Sequence, residues 1–336
     1  MTQDTQTPKQ ESSKAGLPMI LTRFFKSEKL GLLVALLVIV LVFQALTEGK
    51  YLSQANLINI MIAMAVVGLV TIGESFLLIT GKVDLSPGSV AAFSGVLVAL
   101  LLNTGMNMYL AIAIVVAVGM VIGLLNALLI NKLKLEAFIA TLATMSIFRG
   151  LAYIICGGKA VFITNGSYLK FGGGRVLGVP IPAIFFLALF VVFMVVLART
   201  RFGRSVYMVG GNPTASRLTG INAQKVLIVL YMLTAAFSAL GGCIMTARMS
   251  SGQPMSCEGL EFDAVTAAVL GGVAMSGGVG TLGGALIGLL IMQGFNNGLM
   301  MLNVPSFWQT VSRGLLLIAA LSFDYVRNRK AKLKNA

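Results

Sequence analysis

Long apolar stretches make up most of this chain, and the segments that join them are mostly short. A helix needs about 20 apolar residues to cross the hydrocarbon core of a bilayer, with tolerance down to about 17. The pattern predicts an all-α polytopic membrane protein with about ten transmembrane helices. The third and eighth are short, so we expect them to be tilted, broken or incompletely crossing. The predicted spans are 30–46, 57–79, 89–103, 109–131, 137–156, 180–198, 226–247, 264–276, 283–302 and 308–325.

Composition excludes several functional classes. Hydrophobic residues form 57% and charged residues 11% of the chain, whereas soluble domains average about 45–50% apolar and about 25% charged. Histidine is absent, so this chain alone has no histidine-based triad, proton relay or zinc site. The three cysteines, Cys156, Cys243 and Cys257, lack metal-ligand spacing. We therefore expect no metal and no cofactor on this chain.

Basic residues predict the orientation. If the N-terminus lies in the cytoplasm and ten spans alternate, the inner segments hold most of the lysines and arginines, as the positive-inside rule requires. This placement explains the net charge of +14 without nucleic acid. The predicted organisation is a polar cytoplasmic tail (1–29), a transmembrane domain (30–325) with a large inner loop (199–225), and a basic cytoplasmic tail (326–336), so that both termini are cytoplasmic.

The inner loop 199–225 contains basic residues and no acid. Gly210-Gly211 reads as a turn, after which Asn212 is placed to cap a short helix and Pro213 fits its first position. Gly220 would end that helix after about two turns. A short, basic, capped helix between two spans predicts a docking element for a partner outside the membrane.

Charged side chains inside spans are costly and therefore informative. Glu74, Arg149 and Arg313 fall within spans, and a structural ion pair of Glu74 with one of the arginines is one interpretation. A polar path for a solute is the other. Asp84 is placed to cap the third span, with Ser86 as an alternative.

Polar side chains on the ninth span allow the same two interpretations. Gln293, Asn296 and Asn297 have i, i+3, i+4 spacing and so share one helix face. They are either hydrogen-bonding contacts between helices or part of a solute path. Two outer segments, 157–179 and 248–263, are either ordinary loops or a face for a soluble, substrate-carrying partner; the second contains Glu258, Glu261 and Asp263.

Half of the residues in the run 271–284 are glycine. The run contains a G-x-G-x-x-G match, but no strand–helix–strand unit surrounds it, so dinucleotide binding is not indicated. We expect close helix packing or a tight turn with the freedom of a gate, at Gly271, Gly272, Gly277, Gly278 and Gly280. No phosphate-binding G-x-x-x-x-G-K-[ST] loop occurs, so energy for transport would come from another subunit or an ion gradient.

Three blocks resemble the permease subunits of ABC importers for ribose and related simple sugars, a binding-protein-dependent transport family. They are Gly81-Lys82-Val83-Asp84-Leu85-Ser86-Pro87-Gly88-Ser89, the stretch Gly203-Arg204 through Asn222, and Leu270-Gly271-Gly272-Val273 with Gly277 to Thr281. The resemblance implies the fold of the larger, vitamin B12 importer-like permeases in a bacterial inner membrane. It also implies three partners: a second permease copy or homologue, a cytoplasmic ATPase that holds ATP and Mg²⁺, and a periplasmic sugar-binding protein.

The same resemblance implies roles for particular residues. The helix from about Pro213 to Thr219 would couple to the ATPase, with contacts or backbone turns at Gly203, Arg204, Gly210, Gly211, Asn212, Pro213, Ser216, Arg217 and Gly220. The polar residues of the spans, rather than the resemblance, supply the candidates for the translocation path: Glu74, Asp84, Ser86, Arg149, Gln293, Asn296 and Asn297. The alternative function is a secondary sugar or ion-coupled symporter. A membrane enzyme is disfavoured because no nucleophile–base pair is evident.

Overall fold

The computed structural model describes residues 28–334, which are almost entirely helical. The predicted N-terminal tail 1–29 lies almost entirely outside this range, whereas the predicted C-terminal tail from residue 326 continues the last helix as far as Lys334. The long helices are α1 (Glu28–Leu46), α2 (Gln54–Ile79), α3 (Pro87–Asn103), α4 (Met108–Asn131), α5 (Ala137–Cys156), α7 (Ile181–Arg199), α10 (Ala223–Met249), α12 (Leu282–Met301) and α13 (Ser306–Lys334). The shorter helices are α6 (Gly166–Gly173), α8 (Arg201–Gly211), α9 (Pro213–Leu218) and α11 (Leu260–Leu270).

Four two-residue strands lie together at one end of the molecule. β1 (Val161–Phe162) pairs antiparallel with β4 (Ser251–Gly252), and β2 (Arg175–Val176) pairs with β3 (Val179–Pro180). We call this the hairpin end. The opposite end carries α8 and α9, and we call it the helix-pair end. The long helices from α1 to α10 run alternately between the two ends; the short helix α11 then leads back, so that α12 runs in the same direction as α10.

Six of the described helices are long and apolar enough to cross a membrane: α2, α4, α5, α7, α10 and α12. Two further apolar helices have 17 residues within the described range, Leu30–Leu46 and α3. Outward-facing side chains on the peripheral helices are apolar, as lipid contact requires; examples are Leu37, Val121, Ile154, Val192 and Leu315.

The predicted span 264–276 is wrong at both bounds. Helix α11 begins at Leu260 and has 11 residues, which corresponds to about 16 Å and is too short to cross a bilayer. Gly259 (φ +78°) precedes it, and Gly272 (φ +87°) follows its C-cap in the left-handed conformation that ends many helices. The hydropathy pattern placed the start too late because the first turn contains Glu261 and Asp263.

Helices α2 and α10 form the centre of the bundle. Helix α10 packs against α2, α3 and α4, while α2 also packs against α7, α11 and α12. The approach is closest at glycines: a Cβ at Gly73 of α2 would lie 2.7 Å from the Thr234 Cα, and one at Gly119 of α4 would lie 2.9 Å from the Ala235 carbonyl oxygen. Lipid chains are as apolar as leucine, so helices in a membrane associate through such close packing of small residues.

Replacing Gly123 with alanine tests this packing. A Cβ at Gly123 would meet the Tyr231 carbonyl oxygen and lie 2.7 Å from the Met232 Cα on α10. Because backbone atoms cannot move aside alone, we expect Gly123→Ala to destabilise the protein by about 1–3 kcal/mol, seen as a lower melting temperature in detergent. The control is Gly150→Ala on α5, where no atom lies within 4 Å and alanine favours the helix. Equal melting temperatures for the two variants would contradict the packing argument.

Candidate functional site

The chain between α2 and α3 turns back into the protein. Gly81 (φ +74°) reverses the chain after α2, and the Asp84 amide then donates to the Glu74 carboxylate, with 3.5 Å between Asp84 N and Glu74 Oε2. Glu74 lies more than one turn inside the end of α2 at Ile79. Helix α3 therefore begins in the interior of the protein and runs from there to the hairpin end.

The start of α3 is organised by a small hydrogen-bonded group of fully buried side chains. Asp84 Oδ1 accepts from the Ser86 amide (2.8 Å) and from the Ser86 hydroxyl (2.6 Å), and Asn126 Nδ2 of α4 donates to the same hydroxyl (3.0 Å). The expectation that Asp84 caps α3 is wrong. Ser86 occupies the N-cap position, makes no side-chain capping bond, and is followed by Pro87 in the first turn.

Helix α11 begins in the interior as well, and its start meets the start of α3. Glu261 lies in the first turn of α11 and is buried against Gly88, where a Cβ would meet the Glu261 carboxylate and lie 2.5 Å from the Cys257 carbonyl oxygen. Only glycine fits at position 88. A carboxylate beside helix N-termini is electrostatically favourable. The two short predicted spans, α3 with 17 residues and α11 with 11, thus both begin in the interior, where their starts meet at a buried acidic group.

Several oxygen atoms of this group have no hydrogen-bond partner among the described residues. They include Glu74 Oε1, Asp84 Oδ2, Asn126 Oδ1 and Glu261 Oε2. Leaving a buried polar group unsatisfied costs about 1–3 kcal/mol, and more for a charged one. Such atoms inside a membrane protein are typical of a site that meets water, protons or a polar solute.

The predicted ion pair of Glu74 with an arginine is wrong. Arg149 Nη1 instead donates to the carbonyl oxygens of Pro254 (2.6 Å) and Ser256 (2.9 Å), and so fixes the segment that leads from β4 into α11. Arg313 Nε lies 3.8 Å from Asp263 Oδ1. The sequence could not identify these pairs because each joins residues far apart in the chain.

The polar face of α12 lies away from the buried group around Asp84. Asn297 Oδ1 accepts from Asn56 Nδ2 (2.8 Å) at the start of α2, which is about 27 Å along that helix from Glu74. Asn297 therefore ties two helices together near the hairpin end. Gln293 Nε2 and Asn296 Oδ1 are buried without a partner among the described residues. The structure separates these three residues from the group around Asp84.

Helices α8 and α9 form the helix pair. Thr200 caps α8 through the Gly203 amide (3.1 Å), and Asn212 caps α9 through the Ala215 amide (2.9 Å). The predicted short helix with Pro213 in its first turn is confirmed. The predicted turn at Gly210-Gly211 is wrong, because both residues end α8 and Asn212 alone makes the corner.

The helix pair exposes a mixed surface. Arg204 and Arg217 are exposed, whereas Ser216 is buried. Leu218 at the end of α9 is 85% exposed. Sequence reasoning missed Leu218, although an apolar residue in an otherwise polar loop was a usable signal.

The glycine-rich run forms the turn between α11 and α12 and lies directly against the helix pair. The Gly278 amide donates to the Ile79 carbonyl at the end of α2 (2.7 Å), and a Cβ at Gly278 would lie 2.8 Å from the Gly211 Cα. Gly277 and Gly280 also have positive φ, and Gly271 packs against the backbone of α12 at Gly284. This turn therefore joins the ends of α2, α8 and α11.

Tyr207 of α8 supports the same junction. Its hydroxyl donates to the Gly280 carbonyl (2.7 Å). Burial raises the pKa of Tyr207, so the hydroxyl stays protonated at neutral pH and remains a donor.

The outer segment 248–263 differs from the expectation of a partner-facing acidic loop. Glu261 and Asp263 are 4% and 6% exposed and belong to α11, while Glu258 is exposed. Glu261 and Asp263 therefore contribute to the interior of the protein.

We expect Gly278→Ala to weaken the junction. Alanine is strained by about 1–2 kcal/mol in a left-handed conformation, and its Cβ would also press on Gly211. The variant should unfold at a lower temperature in detergent than the wild type. Gly283→Ala lies in the same glycine run, with no atom within 4 Å, and should be neutral. A neutral Gly278→Ala would show that the junction tolerates separation.

The chain is similar to membrane permeases of a known family. The family described as branched-chain amino acid transport system / permease component matches residues 56–321. The ribose import permease protein RbsC of Bacillus subtilis (strain 168) is 41% identical over 88% of this chain and 92% of its own length. The L-arabinose ABC transporter permease protein AraH of Azospirillum brasilense is 37% identical over 86% of both chains. RbsC of Escherichia coli (strain K12) is 36% identical over 87% of this chain and 92% of its own. No solved structure matches this chain.

Proposed function

The chain belongs to the permease-component family of branched-chain amino acid transport systems, and from this premise we propose that it is the membrane permease subunit of an ATP-driven importer for a simple sugar. The observation that carries the proposal is similarity to ribose and L-arabinose permeases over nearly the whole chain. The substrate class is therefore a monosaccharide related to ribose or arabinose.

The coupling surface for an ATPase is the helix pair α8–α9. Its exposed arginines and Leu218 offer charged and apolar contacts to a soluble partner, and its glycines lie against the transmembrane helices. The residues assigned to this role are Gly203, Arg204, Gly210, Gly211, Asn212, Pro213, Ser216, Arg217 and Gly220. ATP and Mg²⁺ belong to the ATPase, since this sequence has no phosphate-binding loop of its own.

The proposed assembly sits in a bacterial inner membrane. Ten passes, of which α11 is too short to cross the bilayer completely, would leave both termini and the helix pair in the cytoplasm, as in the larger vitamin B12 importer-like permeases. A second copy or a homologue would complete the path, and a periplasmic sugar-binding protein would dock at the hairpin end. The basic charge serves topology, so no nucleic acid partner is proposed.

Transport would proceed by alternating access. Closure of the ATPases would move the two α9 helices of the paired permeases, and the difference between states would come from ATP binding because this chain has no energy source of its own. The Gly210–Gly278 junction would carry the motion to α11 and α3. The gate is assigned to Gly271, Gly272, Gly277, Gly278 and Gly280, next to the buried group of Glu74, Asp84 and Ser86.

The alternative of an ion-coupled symporter has no support from the similar proteins and is tested separately. Such carriers use buried acids as proton or sodium sites, and Glu74, Asp84 and Glu261 are buried together here. The discriminating measurement is sugar uptake by vesicles that contain only this chain. Accumulation against a gradient without nucleotide would overturn the importer proposal.

We expect the double variant Arg204→Gln, Arg217→Gln to lose ATPase binding. Contacts to charged groups contribute about 1.5–3 kcal/mol each, so co-purification of the ATPase with tagged permease should fall at least about tenfold, and sugar uptake should fall with it. Arg175→Gln, an exposed arginine at the hairpin end, is the matched control. Full uptake by the double variant, with the ATPase still bound, would refute the docking assignment.

We expect Leu218→Asp to act in the same way, because a carboxylate in an apolar contact must be desolvated. Co-purification and uptake should fall about tenfold or more while the melting temperature of the permease stays constant, since Leu218 is exposed. Leu177→Asp is the control; Leu177 is 99% exposed at the hairpin end. Wild-type ATPase binding by Leu218→Asp would exclude Leu218 from the interface.

A further inference from the structure

A small cavity opens between α2, the end of α10 and the start of α11. Its volume is about 190 Å³, below the roughly 300–1,000 Å³ of sites for drug-sized ligands, and suits a single sugar ring. Apolar side chains form its floor, and charged side chains of both signs stand around it. The lining residues that matter here are Val66, Val67, Leu260, Arg248, Glu258 and Asp263.

We propose that this cavity is a monosaccharide-binding site on the permease itself, reached from the hairpin end; the inference rests on the proposed sugar-importer function. None of its lining residues belongs to the helix pair or to the group around Asp84.

The chemistry of the lining fits a neutral polyol. A sugar hydroxyl both donates and accepts, whereas a carboxylate only accepts and a guanidinium only donates. Glu258 and Asp263 can therefore accept from hydroxyls to which Arg248 donates. Charges of opposite sign around one small cavity suit a neutral polar solute better than an ion of either sign.

Asp263 contributes the buried acceptor. It is 6% exposed, and its Oδ1 has no hydrogen-bond partner among the described residues, since Arg313 Nε lies 3.8 Å away. At that distance Arg313 attracts the Asp263 carboxylate without forming a hydrogen bond, so Oδ1 can accept a shorter bond from a ligand. Arg248 and Glu258 are exposed, so they can close around a ligand from the rim.

The cavity also lies in line with the buried acidic group. Val67 and Glu74 are seven residues apart on α2, so they share one face two turns apart. A solute bound over Val67 would stand about 10 Å from the level of Glu74. The cavity thus lies at the outer part of a path that continues to the starts of α3 and α11.

The test is saturation-transfer NMR on the full chain in detergent, with D-ribose and L-arabinose as probes and L-valine as a comparison. We expect signals from at least one sugar and none from L-valine. The double variant Arg248→Gln, Glu258→Gln should reduce the sugar signal at least fivefold, because it removes the charges from both rim groups. Arg175→Gln and Glu48→Gln, exposed charges outside the cavity, should leave it unchanged.

A second pair of variants separates ligand binding from structural support. Asp263→Asn and Arg313→Gln both remove the ion pair, but only the first alters a group that lines the cavity. We expect a lower sugar signal for Asp263→Asn and a signal close to wild type for Arg313→Gln. Equal losses in both would assign Asp263 a structural role and overturn its part in binding.

Uptake by the reconstituted importer distinguishes the two proposals. Suppose that the wild-type complex imports sugar, so that the proposed function stands. The cavity proposal is then overturned if the rim variants match wild type in NMR signal and uptake rate. It is also overturned if the wild-type chain gives no sugar signal in NMR. If the wild-type complex imports no sugar in the presence of ATP, the proposed function itself fails. A signal from L-valine alone would reassign the cavity to amino acids and overturn the sugar site.

Discussion

Close contact between helix backbones is the constraint on which the rest of this structure depends. In a membrane the apolar faces gain little from meeting each other, so stable association needs backbones near enough for dense packing and for polar contacts. Glycines supply that distance at the centre of the bundle, where Gly73, Gly119 and Gly123 let α2 and α4 approach α10. The short helix α11 packs against α2 and α12 of this framework.

The interior starts of α3 and α11 are possible because this framework surrounds them. Irregular backbone at membrane depth is tolerated only where protein or water satisfies its polar groups. Here Asp84 accepts from the Ser86 amide, and Arg149 donates to the carbonyls of Pro254 and Ser256. Oxygens of Glu74, Asp84 and Glu261 that have no hydrogen-bond partner in residues 28–334 concentrate polarity at one place in an apolar protein. That concentration is what a path for a hydroxylated solute requires.

Glycine serves a different purpose at the helix-pair end. The contacts of Gly277 and Gly278 with Gly210, Gly211 and the end of α2 leave no side chain between the segments. Under the proposed coupling, a displacement of α8 would be passed on to the turn before α12 and the loop before α3, because these backbones are in contact. This explains physically how a partner bound outside the membrane could act on buried helices without reaching them.

The sequence by itself determined the class of protein, the approximate bounds of most long helices, the capped helix after Asn212 and the transporter family, because hydropathy, capping and motifs are local in the chain. It could not place the start of α11, since acids that tertiary contacts bury look like loop residues. Only the tertiary structure decided that Glu261 meets Gly88, that Arg149 binds carbonyls rather than Glu74, and that Arg248 and Asp263 share a cavity. The physical reason is that each of these contacts joins segments far apart in sequence, and their geometry depends on how closely the helices between them pack.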